Sequence, residues 1–294
     1  MGGVAIILNA ASGTGAAGRA VGDIAQRLAK ASRDGTITTV HGGRAMVRAA
    51  QRAIEAGCEA LVAAGGDGTV SGLAPVSLGS DIPLGILPLG TLNHFAKDVG
   101  IPLNLDAALE VILAGRTRTV DVGEVNGRIF LNNSSLGVYP RIVQLREQYR
   151  GKGLGKWLAA LWAALAVLRR RPFMSVRIRA SEQDILRRSP VVLVGNNAYE
   201  TSGLAVGTRS SLNGGVLALY VMNAQARMDL LRLTWQVWRK GAAQVPELDC
   251  LLTDAATIET ARPAIHAALD GEVVELRTPL QYRCRSGALR VLVP

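Results

Sequence analysis

The fold is decided by Gly65-Gly66-Asp67-Gly68-Thr69 (GGDGT), which follows the apolar run at residues 61–64. A short apolar run that leads into glycine is typical of a buried parallel strand, so GGDGT is predicted at the carboxyl end of a strand. Glycine lets a ligand approach the backbone, and successive N–H groups at a strand end can bind anionic oxygens. The stretch therefore predicts a phosphate site, although Asp-Gly pairs are also common in ordinary tight turns.

Asp67 is the one residue of this stretch that does not suit a bare phosphate site. Two anions repel each other unless a cation lies between them. The aspartate therefore predicts either a bound Mg²⁺ ion or a role in orienting the loop.

Composition limits the class of protein. The 294 residues are 49% hydrophobic and 19% charged, which predicts a soluble globular protein with room for two domains. Cys58, Cys250 and Cys284 lie far apart and form no CxxC pair, so neither a zinc site nor a disulfide framework is expected. No signal peptide and no apolar stretch of membrane-spanning length can be recognised, which makes the cytoplasm the predicted compartment.

The strongly basic balance of the chain predicts an anionic partner. The formal net charge is +10 and the isoelectric point is about 10.1. Nucleic acid is not expected, because the basic residues are not interleaved with aromatics and no nucleic-acid-binding motif is present. An anionic membrane surface or a polyphosphate substrate accounts better for the charge. A basic protein whose charge serves only its solubility is the alternative.

The N-terminal part of the chain alternates between strand and helix. Strands are predicted at residues 4–8, 36–40, 61–64 and 84–87, and helices at 18–31, 45–56 and 105–114. Asn104 and Gly115 are the predicted caps of the last helix. This alternation predicts a Rossmann-like parallel α/β domain, in which ligands bind at the carboxyl ends of the strands.

Two more loops lie at the predicted carboxyl edge of this sheet. Residues 9–15 open onto a helix and include Asn9 and Ser12, but they lack the lysine of a P-loop and the GxGxxG spacing of a dinucleotide site. Residues 88–95 include Thr91, Asn93 and His94. A purely structural interpretation remains open, with Asn93 as a helix N-cap and His94 as a partly buried helical residue.

From residue 117 the periodicity changes from helical to alternating. Asn126-Gly127 is a strong signal for a two-residue hairpin, and Asp270-Gly271 is a second pair of the same kind. Further strands are predicted at residues 175–180, 190–194, 216–222, 257–260, 264–269, 280–284 and 289–293. The pattern predicts a C-terminal β-sandwich domain. With a linker near residues 121–127, the expected domains are 1–122 and 123–287, and the strand at 288–294 can return to the first.

Two helical stretches are inserted in this β-rich part. Residues 154–168 are apolar nearly all round and have basic ends, which suits either a helix in a membrane interface or a helix buried between domains. Residues 226–240 combine apolar side chains, including Trp235 and Trp238, with several arginines.

Asp270 and Glu272 are the remaining chemical candidates. They flank Gly271 after the alternating strand at residues 264–269. A hairpin closed by Asp-Gly explains them without any chemistry. The functional alternative is a carboxylate general base at residue 270, with Glu272 binding a metal ion or orienting that base.

Taken in order, four segments resemble the diacylglycerol kinase catalytic-domain family in its bacterial lipid kinase branch. They are GGDGT (65–69), PLGTLNHFAKDVGIP (88–102), DVGEVNGRIFLNNSSLG (121–137) and LDGE (269–272). The similarity covers almost the whole chain, whereas GGDG alone is shared with NAD kinases and the phosphofructokinase-like superfamily. The resemblance implies an ATP-dependent lipid kinase whose α/β domain holds the nucleotide, with catalysis in a cleft against a β-sandwich domain that brings the lipid.

The resemblance also implies roles for single residues. Asp270 takes the position of the catalytic aspartate, and Glu272 takes that of its companion carboxylate. Nucleotide binding falls on Asn9, Ser12, Gly65, Gly66, Asp67, Gly68, Thr69, Thr91 and Asn93. Asp67 and Asp121 occupy two positions of a three-aspartate network near Mg²⁺, but His94 stands at the third. Gly214 likewise stands where many relatives carry the aspartate of a structural cation site.

The expected function is transfer of the γ-phosphate of ATP, with Mg²⁺, to the hydroxyl of a diacylglycerol-like or sphingoid-like lipid. The enzyme would work peripherally at the inner face of the membrane. One alternative is a soluble small-molecule kinase close to the NAD kinases. Another is a non-catalytic nucleotide-binding module, which would explain His94 and Gly214 together. Neither the identity of the lipid nor the oligomeric state follows from the sequence.

Overall fold

The computed structural model describes residues 3–10, 16–31, 34–141, 143, 173–181, 183–199, 209, 211–222 and 248–294. The predicted site residue Ser12 and the predicted helices at residues 154–168 and 226–240 lie outside these ranges. The chain divides into two compact units, Met1–Val122 with Ser286–Pro294, and Gly123–Arg285.

The first unit is built on parallel strands. These are β1 (Val4–Asn9), β2 (Gly35–Val40), β3 (Ala60–Gly65) and β4 (Leu84–Pro88), in the order β2-β1-β3-β4. All of β3 and β4 is buried, which explains why both read as uninterrupted apolar runs in the sequence. The C-terminal strand β16 (Leu280–Leu292) begins in the second unit and ends in the first, where Val291 pairs in parallel with Leu84 of β4.

Five described helices accompany these strands. They are α1 (Ala16–Lys30), α2 (Gly43–Glu55), α3 (Asp67–Ser80), α4 (His94–Asp98) and α5 (Leu105–Ala114). The predicted caps of α5 are confirmed, because the Asn104 side chain accepts hydrogen bonds from two backbone N–H groups and Gly115 adopts a left-handed conformation. Among the described helices, none has both the length and the apolar character needed to cross a bilayer.

The second unit contains two antiparallel arrangements of strands. One sheet has the order β12-β11-β10-β7-β14-β15. Its strands are β7 (Asn133–Gly137), β10 (Val191–Asn196), β11 (Leu217–Met222), β12 (Leu248–Thr253), β14 (Ala264–Leu269) and β15 (Glu272–Arg277). The other arrangement comprises β8 (Met174–Ala180), β9 (Gln183–Ser189), β13 (Ala255–Thr260), the first part of β16, and β6 (Arg128–Phe130) paired with the end of β5 (Thr117–Val125). Strand β5 begins in the first unit and enters the second at Gly123.

Side chains from both arrangements form one apolar core. It includes Phe130, Leu136, Ile178, Leu219 and Tyr282, all of which are buried. The predicted fold class, a parallel α/β domain followed by an antiparallel β-sandwich, is therefore confirmed.

Several predicted elements differ from the structure. The strands expected at 280–284 and 289–293 form the single strand β16, because Ser286 and Gly287 interrupt the apolar pattern without ending the strand. The division between the two units falls after Val122, within the linker predicted near residues 121–127, and β5 continues through this point to Val125 before the turn at Asn126-Gly127. Strands β7, β9, β12 and β15 are absent from the predictions.

Candidate active site

The loops that follow β3 and β4 touch each other. The Leu89 N–H donates to the Gly65 carbonyl at 3.0 Å. A Cβ atom placed on Gly90 would lie 2.4 Å from the Gly66 Cα, which is closer than any side chain permits. The two glycines thus let both backbones enter the same small space, as expected for loops at one edge of a parallel sheet.

GGDGT is more than a loop, because helix α3 begins inside it. Gly65 ends β3, Gly66 occupies the N-cap position, and Asp67 is the first helical residue. No side chain caps this helix at Gly66. The first N–H groups of a helix lack intrahelical partners and lie at the positive end of the helix dipole, so the N-terminus of α3 can bind an anion.

Two other residues that are predicted to bind the nucleotide form hydrogen bonds with these loops. The Asn9 Nδ2 donates to the Thr69 Oγ1 at 3.3 Å, which connects the end of β1 to the first turn of α3. The buried Asn93 side chain accepts from the Gly90 N–H at 3.1 Å and donates to the Gly90 carbonyl at 2.8 Å. The Asn93 side chain therefore holds the loop at Gly90. It does not cap α4, so the purely structural interpretation of Asn93 as a side-chain cap is wrong.

The remaining residues of the second loop are more open. Thr91 is exposed, and its side chain makes no hydrogen bond within the described ranges. His94 begins α4, so its predicted helical position is confirmed, but its side chain is exposed and the predicted partial burial is wrong.

The two carboxylates of the predicted metal site have separate backbone partners. Asp67 Oδ1 accepts from the Phe95 N–H at 3.3 Å, which adds a contact between α3 and α4. Asp121 is only 1% exposed and its Oδ1 accepts from the Gly287 N–H at 2.8 Å. Within the described part of the chain, no three histidine, cysteine, aspartate or glutamate side chains form a metal-binding group. Asp67, which is half-buried, is the more accessible of the two.

Asp270 lies in the two-residue turn between β14 and β15. Asp270 and Gly271 have φ angles of 48° and 88°, as a tight hairpin turn of this type requires. The turn predicted from Asp-Gly is therefore confirmed. A hairpin alone does not explain the Asp270 side chain, which points back to another part of the second unit.

The half-buried Asp270 carboxylate is held by three consecutive backbone N–H groups. Leu131 donates to Oδ2 at 2.8 Å, while Asn132 and Asn133 donate to Oδ1 at 2.8 Å and 3.1 Å. Three donors on two oxygens fix the orientation of the carboxylate. The sequence patterns predict no role for residues 131–133. The only local signal for such a role is the Asn132-Asn133 pair that directly follows the apolar residues 129–131.

Glu272 is placed differently from Asp270. It begins β15 opposite Leu269, its side chain is exposed, and it makes no ion pair or side-chain hydrogen bond with any residue that the structure describes. Glu272 therefore does not contribute to the contacts that hold Asp270.

The presence of glycine at position 214 is explained by its close contact with Asn197. Its N–H donates to the Asn197 Oδ1 at 3.0 Å, and a Cβ at this position would lie 2.6 Å from the same oxygen. A side chain in place of Gly214 would disturb this contact.

A further groove in the first unit contains none of the predicted site residues. It measures about 730 Å³ and lies between the edge strand β2 and helix α2, with Thr38, Thr39, His41, Arg48 and Arg52 among its lining residues.

Two family models together cover nearly the whole chain. The diacylglycerol kinase catalytic domain matches residues 3–125, and the YegS C-terminal NAD kinase beta sandwich-like domain matches residues 137–293. The chain belongs to the diacylglycerol kinase family. In this diacylglycerol kinase family member, the first match ends with the last residue of β5 and the second begins with the last residue of β7. The second match covers most of the β-sandwich unit and also the end of β16, which lies in the first unit.

Individual relatives agree with this assignment. The diacylglycerol kinase of Mycobacterium tuberculosis is 28% identical over all of this chain and 96% of that protein. The probable lipid kinase YegS-like protein of Pseudomonas aeruginosa is 30% identical over 84% of this chain and 80% of that protein. A diacylglycerol kinase crystal structure from Bacillus anthracis str. Sterne is 20% identical, with a TM-score of 0.72 over 99% of this chain and 97% of that one. That structural likeness shows the shared fold.

Proposed function

We propose that this member of the family is an ATP-dependent lipid kinase that phosphorylates the hydroxyl of a diacylglycerol-like or sphingoid-like lipid. The observation that carries the proposal is the Asp270 carboxylate, held by three backbone N–H groups. A carboxylate held in one orientation can serve as the general base that an attacking alcohol requires. Family membership supports phosphoryl transfer as the reaction.

The first unit supplies the proposed nucleotide site. Among the described residues, nothing lies within 4 Å of a Cβ placed on Gly68, so the backbone there is open to a ligand, and the uncapped N-terminus of α3 adds N–H donors. Asn9 and Thr69 border the same turn through their mutual hydrogen bond. These groups suit the phosphates of ATP, because phosphoryl transfer depends mainly on positioning and charge neutralisation. Ser12, Thr91 and the remaining residues of GGDGT stay part of the prediction.

Magnesium fits this site through one carboxylate. Mg²⁺ is usually bound by one or two protein carboxylates together with phosphate oxygens and water, and Asp67 at the start of α3 can serve as such a ligand. When bound, the ion would supply positive charge that offsets the charge of the triphosphate. The burial of Asp121 and its bond to the Gly287 N–H fit a supporting role better than direct coordination.

Asp270 would act on the lipid. The three N–H donors keep its carboxylate oriented while the lipid hydroxyl attacks the γ-phosphorus of ATP. The O–H proton passes to Asp270, the new bond joins the lipid oxygen to the γ-phosphorus, and the bond to the β-phosphate oxygen breaks. ADP and a phosphorylated lipid are the products. Glu272, which is exposed beside the turn, stays a predicted companion without an observed contact to Asp270.

The test is transfer of radiolabelled phosphate from ATP to a panel of acceptors that includes diacylglycerol, sphingoid bases, ceramide, phosphatidylglycerol and NAD. The expected result is Mg²⁺-dependent labelling of a lipid and no labelling of NAD. In Asp270→Asn, turnover is expected to fall by about two orders of magnitude or more, while ATP binding is nearly unchanged.

A matched control separates chemistry from folding. Asp254→Asn makes the same chemical change at an exposed aspartate of the same unit and should retain wild-type turnover. Because an amide at residue 270 places N–H donors opposite N–H donors, thermal unfolding of Asp270→Asn must be measured beside its activity. Wild-type turnover in folded Asp270→Asn would remove this aspartate from the mechanism, and labelling of NAD alone would support the soluble kinase.

An anionic membrane is the proposed surface on which the lipid is reached. Arg44, Arg48 and Arg52 are exposed, follow one another at four-residue spacing on α2, and make no ion pair with any described carboxylate. Such a row of arginines matches the negative charge of a phospholipid surface. We therefore propose transient, peripheral binding to the inner face of the membrane.

A further inference from the structure

Residues 131–133 lie between Asp270 and a cluster of buried donors. Their three N–H groups face the Asp270 carboxylate, whereas the Leu131 and Asn132 carbonyls face the cluster and the Asn133 carbonyl accepts from the Asp270 N–H. Arg209 belongs to the cluster and is only 7% exposed. Its Nη1 donates to the Leu131 carbonyl at 2.6 Å, and its Nη2 donates to the Asn132 Oδ1 at 2.9 Å.

One peptide group connects Arg209 to Asp270. The Leu131 carbonyl, which accepts from Arg209, and the Asn132 N–H, which donates to Asp270 Oδ1, belong to the same peptide plane. The guanidinium and the carboxylate are therefore joined through two hydrogen bonds at opposite ends of one dipole. Hydrogen bonds in such a chain polarise one another, so the arginine strengthens the bond to the carboxylate.

The next peptide plane is held in the same way. The Asn132 carbonyl accepts from the Tyr199 hydroxyl at 3.0 Å and from the Asn196 N–H at 2.9 Å. The N–H of this peptide belongs to Asn133 and donates to Asp270 Oδ1. The Asn133 side chain also donates to the Tyr199 hydroxyl at 3.1 Å. Tyr199 is therefore hydrogen-bonded to both Asn132 and Asn133.

We propose that Arg209 and Tyr199 are positioning residues for the proposed catalytic carboxylate. Both fix peptide planes whose N–H groups point at Asp270. A plane free to rotate would bring its carbonyl oxygen towards the carboxylate, and the repulsion between them would displace Asp270 from the acceptor hydroxyl. The catalytic part of this inference rests on the proposed role of Asp270 in phosphoryl transfer.

Substitution of Arg209 tests the proposal through the division between kcat and KM. In Arg209→Met, kcat for lipid phosphorylation is expected to fall by about tenfold or more, because the 131–132 peptide loses its charged donor and keeps, among the described residues, only the neutral Asn196 Nδ2, which donates to the same carbonyl at 2.9 Å. The KM for ATP should stay nearly constant, since the proposed nucleotide residues belong to the first unit. Arg209→Lys keeps one cationic donor and should recover part of the loss. Arg177→Met, at an exposed arginine of the same unit, is the matched control and should keep wild-type kcat.

A double substitution separates positioning from general stability. In the Asp270→Asn background, Arg209→Met should lower the residual turnover by less than about twofold, because the group that it positions is already lost. Equal losses in both backgrounds would show that Arg209 supports the fold alone and would overturn the proposal.

Amide exchange gives a readout that does not depend on activity. In Arg209→Met, the Asn132 N–H should exchange faster by NMR while amides of β10 and β11 keep their protection. If Arg209→Met does not fold, Tyr199→Phe serves in its place, with faster exchange expected at Asn133. Unchanged exchange in a folded variant would overturn the positioning role. A wild-type protein without kinase activity would instead refute the proposed function, while the exchange data would still decide how residues 131–133 are held.

Discussion

Gly90 shows how the absence of a side chain shapes the proposed phosphate site. Its φ angle is not in the left-handed region, so backbone conformation does not require glycine there. Glycine is required because of the lack of space, since a Cβ would lie 2.4 Å from the Gly66 Cα and 2.7 Å from the Asn93 Oδ1. The Asn93 side chain cannot move away without breaking both of its bonds to Gly90.

We expect Gly90→Ala to lower the free energy of unfolding by about 1–3 kcal/mol, as is typical when a methyl group enters a filled site. ATP binding should weaken as well, because the loops after β3 and β4 must separate. Gly79→Ala is the matched control, since nothing lies within 4 Å of its added Cβ on the exposed part of α3. Alanine there should be neutral or stabilising. Urea unfolding and calorimetric ATP titration of both variants provide the measurements, and equal stability of the two would contradict the steric explanation.

For single residues, the sequence indicates Asp270 as a candidate catalytic residue but does not indicate which groups hold its carboxylate. Its turn follows from the local Asp-Gly pair, whereas its three donors lie 137 to 139 positions earlier in the chain. That pairing depends on the register of β14 against β7, which no pattern near residue 270 encodes. Arg209 is missed for the same reason, because its partners at residues 131 and 132 lie 78 and 77 positions earlier in the chain.

Strand β7 shows how one element gives two adjacent serines different surroundings. Ser134 pairs with Leu269 and its Oγ lies 2.9 Å from the Tyr282 hydroxyl, inside the sandwich core. Burial raises the pKa of Tyr282, so its hydroxyl stays protonated and needs a partner. Ser135 points to the opposite face, and its buried Oγ has no hydrogen-bond partner in the described part of the chain.

The two serines should therefore respond oppositely to alanine. Ser134→Ala leaves the buried Tyr282 hydroxyl without this bond and should lower the free energy of unfolding by about 1–3 kcal/mol. Ser135→Ala removes an unsatisfied buried oxygen and should be neutral or stabilising by up to about 1 kcal/mol. Urea denaturation of both variants is the measurement, and each serves as the control for the other. A larger loss in Ser135→Ala than in Ser134→Ala would contradict this assignment of the two faces.

Whether an element can be predicted depends on how local its signal is. The caps of α5 and the turns at Asn126-Gly127 and Asp270-Gly271 depend on adjacent residues, and the sequence predicts all of them. Strand β7 is missed because its sequence NSSLG carries little apolar alternation. Strand β9 is missed because it is polar and exposed at most positions, and its pairing with β8 holds it in place.

For the whole molecule, the order of element types along the chain was enough to predict the two fold classes. A parallel sheet needs long connections between strands, and its helices give the first part of the chain its alternating pattern. The second part reads as short strands and turns because antiparallel neighbours can be joined directly. The sequence could not supply the pairings between distant strands, and these bring Asp270 to residues 131–133.

Net charge is a second property of the whole molecule, and part of the positive charge is concentrated in the row of arginines on α2. The net charge of +10 alone would attract the protein weakly to any anionic surface. In contrast, Arg44, Arg48 and Arg52 lie on one side of a single helix and can approach a bilayer together. Arg48 and Arg52 also line the groove beside β2, which keeps their face of α2 open.

Changing Arg44, Arg48 and Arg52 together to Gln should weaken binding to vesicles that contain phosphatidylglycerol by about tenfold or more, because each basic residue near an anionic surface contributes to the attraction. Binding to uncharged phosphatidylcholine vesicles should be unaffected, and wild-type binding should fall as salt screens the charges. Arg187, Arg262 and Arg277, which are exposed on strands and loops of the second unit, give a control variant with the same change in net charge. Co-sedimentation measures all of these variants. Equal losses in the two triple variants would mean that total charge, and not the row on α2, determines membrane binding.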